Sequence, residues 1–174
     1  MKFIGIDPGL DGAVCIVHPF LTDVAPLITI YDTPTLTVKS GKKNHRVMDV
    51  TEAANILRRR GASSPDEVCV VLERVASMPG QGVASMFSFG MNFGMWQGIL
   101  AALQLPYTLV HSRTWKAALM RDMGKEKEAS IVRAKQLYPQ AASSLTLKKH
   151  DGRADALLLA HYGRAFLQGN HANI

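Results

Sequence analysis

The chain has 174 residues, 47% of them apolar and 20% charged, with 14 glycines and 8 prolines. A single domain of this size buries roughly 70% of its unfolded surface, enough to fold unstapled, and the composition excludes wholesale disorder, collagen and coiled coil. Two cysteines exclude a disulfide scaffold, and 20 Lys and Arg against 14 Asp and Glu leave a net charge of +6, the balance of a small protein with an acidic partner, of which nucleic acid is the commonest.

The opening Met1–Gly9 reaches Asp7 and Pro8 before an apolar leader core develops, so the expected location is a reducing cytoplasm. Residues 3–6 form an apolar run ending in Asp7, and Pro8-Gly9-Leu10-Asp11-Gly12 reads as a turn. Residues 13–17 and 27–31 are further apolar runs rich in Val, Ile and Tyr, which suit strands. Residues 39–46 read as a basic, turn-rich loop. Asp49-Val50-Thr51-Glu52 has the form of a capping box, and its helix closes on Arg58-Arg59-Arg60-Gly61, cations at the negative end and glycine beyond.

Residues 68–73, Val-Cys-Val-Val-Leu-Glu, are the strongest strand signal, with the continuous apolar character of a strand buried on both faces. Cys15 and Cys69 lie within such runs and read as core thiols. From Val75 to Val110 no charged residue occurs. Seven Ser, Gln and Asn residues interrupt the stretch and Pro79 and Pro106 bracket it, so a buried helix over 84–103 is expected rather than a membrane span. A fifth strand follows at 107–110, then helices near 112–120, 125–138 and 151–167. The order βββαβαβα with an extra helix is the plan of an RNase H-like α/β fold, in one domain over 1–169 with a frayed tail at 170–174.

Four acids carry the chemistry. With period 2, Asp7 shares a face with Phe3 and Gly5, and Glu73 with Cys69 and Val71; both stand at the carboxyl ends of their strands, where ligands sit in open α/β sheets. Asp151 and Asp155 are four residues apart, on one face of the last helix. Each has a structural alternative: a turn at Asp7, an ion pair at Glu73, an N-cap at Asp151. Asp155 lies in an almost wholly apolar helix, where an unpaired carboxylate is costly. One metal site accounts for all four. Oxygen ligands without matching Cys or His spacing suit Mg²⁺, with Mn²⁺ as a substitute, and two such ions form a phosphodiester-cleaving arrangement. His150, beside the acids, is a candidate for tuning a water or touching phosphate.

The sequence resembles the RuvC-like Holliday junction resolvases, and within them the branch of the chloroplast junction resolvases and related phage and bacterial proteins. The resemblance runs through Ile4-Gly5-Ile6-Asp7-Pro8-Gly9, Leu72-Glu73, Gly80-Gln81-Gly82, Phe89-Gly90-x-x-x-Gly94-Met95-Trp96, Trp115-Lys116, Lys125-x-Lys127 and Lys148-Lys149-His150-Asp151-Gly152-Arg153-Ala154-Asp155. It implies a homodimer that binds four-way DNA and nicks two opposed strands symmetrically with Mg²⁺, Asp7, Glu73, Asp151 and Asp155 forming the acidic tetrad. Since family members vary at the last two acids, the separate role of Asp151 stays open. A start at Met1-Lys2-Phe3 points to a bacterial or phage source.

Basic residues cluster at 36–61 and 113–135, seven in each, and again beside the last acids. Lys42, Lys43, Arg46, Lys116, Lys148, Lys149 and Arg153 are the expected phosphate contacts, which would make affinity fall about 10³–10⁵-fold between 50 and 200 mM salt. Gly80, Gln81 and Gly82 follow Glu73 closely and suit approach to a base at the cut. A junction has two equivalent scissile strands, so two sites related by a two-fold axis suit it, and the glycine-ridged helix 84–103 is the expected dimer contact. No nucleotide cofactor and no membrane are expected. Two alternatives compete: an RNase H-type enzyme on RNA–DNA hybrids, and a junction binder that does not cut.

Overall fold

The computed structural model describes residues 1–18, 25–41, 43–61, 67–76, 80, 82–124, 126 and 128–167. Lys42, Gln81 and the tail from 170 lie outside them. The sheet is built from β1 (Lys2–Ile6), β2 (Ala13–Val17), β3 (Ile28–Asp32), β6 (Val68–Arg74) and β7 (Tyr107–His111), in the order β3-β2-β1-β6-β7. β2 runs antiparallel to β1 and β3, whereas β1, β6 and β7 are parallel. β1, β2 and β6 are the most apolar runs and hold the middle of the sheet, with Ile4, Ile6, Val14, Ile16, Val70 and Leu72 completely buried.

Helices cover both faces. On one face β1, β2 and β6 pack with α1 (Val50–Ile56) and α2 (Val83–Ala102), through Ala53, Trp96 and Leu100. On the other lie α3 (Ser112–Leu119), α4 (Ala129–Leu137) and α5 (Asp151–Tyr162), around Trp115, Ile131 and Leu157–Leu159. α5 is apolar nearly all round, as a central helix must be, and its Ala156–Ala160 stretch is fully buried. Asp49 caps α1 by accepting a hydrogen bond from the Glu52 amide at 3.0 Å. The next residues, Leu57–Gly61, widen into a π-helical turn.

The structure corrects two expectations. Residues 39–46 are not a loop: β4 (Thr35–Ser40) and β5 (Lys43–Met48) form a separate two-stranded antiparallel ribbon. One face of the ribbon carries Thr37, Lys39, Asn44 and Arg46 and the other Leu36, Val38 and Val47, of which Leu36 and Val38 are exposed. The alternation that marks β4 lies at 35–38, and the loop reading rests on the polar, turn-prone run that follows it. Second, α2 is only partly buried. Asn92, Trp96, Ile99 and Leu100 face the core, while Val83, Phe87 and Met91 are exposed and Gly90, Gly94 and Gly98 face open space. Among the described residues no helix is long and apolar enough to cross a membrane.

Candidate functional site

Parallel pairing of β1 with β6 sets Ile6 opposite Leu72. The next residue on each strand is therefore an acid, Asp7 beside Glu73, at the carboxyl edge of the sheet. α5 brings the other two acids to the same edge because two glycines let backbones touch. A β-carbon on Gly5 would collide with the Ala156 carbonyl and the Ala160 amide, and one on Gly152 with the Asp11 carbonyl. Only hydrogen at those places lets the start of α5 sit on the β1–β2 turn.

The electrostatics match this placement. Burial, with repulsion from Glu73, Asp155 and Asp151, pushes Asp7 up to about 7, although the Gly9 amide donates to its Oδ1 at 3.1 Å and pulls the other way. Glu73 is likewise raised, first by burial and then by Asp155, against the opposing pull of Trp115 and Lys116. Asp155 is raised by burial despite Lys116, whose Nζ lies 3.4 Å from its Oδ2. Its Oδ1 is buried with no hydrogen-bond partner among the described residues. Mutually repelling carboxylates, one with a bare oxygen, form an all-oxygen donor set that fits a hard divalent cation. As the side chains stand, no three Asp, Glu, His or Cys groups among the described residues close around a common point. Lys116 takes one oxygen of Asp155 and the Trp115 indole donates to Glu73 Oε1 at 3.2 Å, and uncompensated repulsion between carboxylates favours keeping them apart.

Two clefts flank Asp151. One, of about 510 Å³, is lined by Lys116, Arg121, Ser130, Asp151 and Asp155. The other, of about 520 Å³, is lined by Asp32, Arg46, Lys149, His150, Asp151 and Arg153. The cations divide by what they touch. Arg153 is committed to internal bonds, at 2.5 and 2.6 Å to the two Asp32 oxygens and 3.0 Å to the Ser144 carbonyl. It clamps α5 to β3 from the wall of the second cleft. Arg46 reaches Asp11 at 2.6 Å and ties the ribbon to the β1–β2 turn. Lys148 pairs with Glu128 at 2.7 Å on the surface, and Lys43 is exposed on the ribbon. Gly80 adopts φ +83°, a left-handed conformation suited to glycine, and Gly82 caps the start of α2.

His150 is buried, and its Nδ1 accepts a hydrogen bond from the Leu147 amide at 3.2 Å. That bond fixes the neutral tautomer with the proton on Nε2, and burial holds the ring below the usual histidine range. The charges acting on it are Arg153, Asp32 and Lys149. The sequence reading missed Trp115 as a partner of Glu73: a tryptophan among apolar residues reads as core, and 42 residues separate the two.

The same architecture occurs in solved structures. Thermus thermophilus RuvC in complex with a Holliday junction substrate superposes with a TM-score of 0.52 at 14% identity, over 94% of this chain and 96% of that one. This is the RNase H-like fold of RuvC. A second structure of T. thermophilus RuvC gives a TM-score of 0.51 at 16% identity with the same coverage. In sequence, the chain is similar to the Holliday junction resolvase MOC1, chloroplastic, of Chlamydomonas reinhardtii, 32% identical over 100 residues. The match spans 58% of this chain but only 11% of the length of that curated relative. No protein-family model matches the chain.

Proposed function

We propose that this chain is a divalent-metal-dependent endonuclease that binds four-way DNA junctions as a homodimer and nicks two opposed strands. The observation that carries the reading is the grouping of Asp7, Glu73, Asp151 and Asp155 at one sheet edge, each repelled by at least one of the others. The similarity to MOC1 and the fold shared with RuvC, one structure of which holds a Holliday junction substrate, support the substrate class.

In this reading the four carboxylates hold Mg²⁺ or Mn²⁺, two ions per site. The ions supply Lewis acidity, polarising the phosphodiester and lowering the pKa of water. The protein's own work is to preorganise negative oxygen ligands in a low-dielectric niche and to bring the strand to it. Lys116 stands beside the acids in one cleft and Lys149 and Arg46 in the other, so the cut strand has cations on both sides of Asp151. The ribbon carrying Lys39, Lys43 and Arg46 has no acid in its sequence from 35 to 48 and offers a positive arm to a duplex. Gly80, Gln81 and Gly82 follow Glu73 and precede α2 in the sequence, and in this reading they meet a base at the cut.

The dimer rests on α2. Val83, Phe87, Gly90, Met91, Gly94, Gly98 and Ala101 fall within one arc of the helix at 100° per residue, and all are exposed. An uncharged, small-residue face of this length suits close packing against its own copy about a two-fold axis.

The test compares a mobile four-way junction with an RNA–DNA hybrid duplex in Mg²⁺. Paired nicks at symmetric sites on the junction, with the hybrid left intact, are the expected result. Preferential cutting of the hybrid assigns an RNase H-type activity instead, and junction binding without cutting in any divalent ion makes the protein a structural binder.

A further inference from the structure

Trp115 is fully buried in the core beneath α5, yet its one polar atom does not end in that core. Its Nε1–H donates to Glu73 Oε1 at 3.2 Å. The bond follows from topology. β7 pairs in parallel with β6, Val110 opposite Glu73, and α3 starts immediately after β7, so the first turn of α3 rises beside the end of β6. The other tryptophan of the chain, Trp96, leaves its indole nitrogen buried without a hydrogen-bond partner among the described residues. Burial of an indole in this protein therefore does not by itself bring a bond; the Trp115–Glu73 contact is specific to its place.

We infer that Trp115 is a positioning residue for Glu73: its indole N–H fixes the rotamer of this carboxylate so that Oε2 stays turned toward the other acids and available to a divalent ion. The inference rests on the metal-dependent reading above. Its physical basis is the difference between two neighbours on α3. Lys116 meets Asp155 with a full positive charge, which competes with a cation for the same oxygen. An indole N–H carries no net charge and cannot substitute for the ion, yet it opposes the rotation by which Glu73 would escape the repulsion of Asp155. The ring cannot follow such a rotation, because it is packed on every side. Donors that orient metal ligands commonly matter 10–100-fold in metal affinity.

Trp115→Phe keeps an aromatic ring in the core and removes only the donor and the outer part of the indole. Calorimetric titration of the full chain with Mg²⁺, without DNA, should show affinity weakened about 10-fold relative to wild type, with junction affinity in EDTA unchanged. The nicking rate should recover at high Mg²⁺, since the ligands are all present. A variant that is less stable but binds Mg²⁺ like wild type overturns the inference and leaves the nuclease reading intact; a wild-type chain that binds no Mg²⁺ takes both down. Should Trp115→Phe not fold, the wild-type indole N–H resonances decide. The Trp115 signal should move with Mg²⁺ at the calorimetric midpoint while that of Trp96 stays still, and a stationary Trp115 signal overturns the inference.

Discussion

Lys116 Nζ stands 3.4 Å from Asp155 Oδ2, and the lysine is the more exposed of the two, at 45% against 17% of its side chain. A more exposed cation thus covers a largely buried acid. On the metal-dependent reading it stands in for part of the positive charge a divalent ion would bring, and with the ion bound it would be free to turn toward a phosphate. Replacing Lys116 with Met should therefore have opposite effects on two ligands. Mg²⁺ should bind severalfold more tightly to the free protein, because its competitor is gone, while junction binding weakens and nicking slows. Titration of both ligands checks this, and equal weakening of both would contradict it.

The raised pKa of Asp7 has a consequence for stability. Its carboxyl titrates near 7 in the fold against an ordinary value of 3.8. Between those values the folded protein holds a proton that the unfolded chain has lost. This contribution is therefore fully present below about pH 4 and is lost as pH rises through about 7. Thermal melts in EDTA should show wild type losing stability from pH 5 to 8 more steeply than Asp7→Asn, which keeps the acceptor for the Gly9 amide. Mg²⁺ should remove most of the difference, since it stabilises the ionised form. Parallel curves for the two proteins would contradict the electrostatic account.

How much of this was legible in the sequence depends on the range of the interaction. β1, β2 and β6 are continuous apolar runs, so their existence and central place follow from local composition, and the acids that end β1 and β6 are visible at once. The ribbon of β4 and β5 is not, because the basic, polar run 39–46 separates Leu36 and Val38 from Val47, and only the register of the two strands brings these onto one face. The bond of Arg153 to Asp32 is likewise not legible, because 121 residues separate the two. Trp115 is hidden by the same distance problem. The glycine ridge of α2 was legible as a packing surface, but nothing local says that the fold itself leaves it open.

Gly5 tests how α5 is seated. Alanine there places a methyl group against the Ala156 carbonyl and the Ala160 amide. Forced overpacking of this kind costs about 1–3 kcal/mol, and α5 must shift, carrying Asp151 and Asp155 with it. Urea denaturation of Gly5→Ala should show the loss of stability, and Mg²⁺ affinity should fall with it. A variant as stable as wild type would show that the contact between β1 and α5 is looser than described.

The exposed face of α2 predicts assembly. Gly94 has no neighbouring heavy atom within 4 Å of an added β-carbon, so Gly94→Glu should leave the folded chain intact. A charge in the middle of a close helix pair should separate it. Sedimentation should then report a monomer where wild type is a dimer, and paired nicking of a junction should decay to single, uncoordinated nicks. A wild-type chain that sediments as a monomer yet nicks in pairs would contradict the interface.

The most direct measurement compares strand cutting by wild type and Asp155→Asn on a mobile four-way junction, in Mg²⁺ and in Ca²⁺. Wild type in Mg²⁺ should give symmetric paired nicks, whereas Ca²⁺, or the amide at 155, should allow binding with little cutting. Undiminished cutting by Asp155→Asn, or by wild type in EDTA, would contradict the claim that these carboxylates work by holding divalent ions against the phosphodiester.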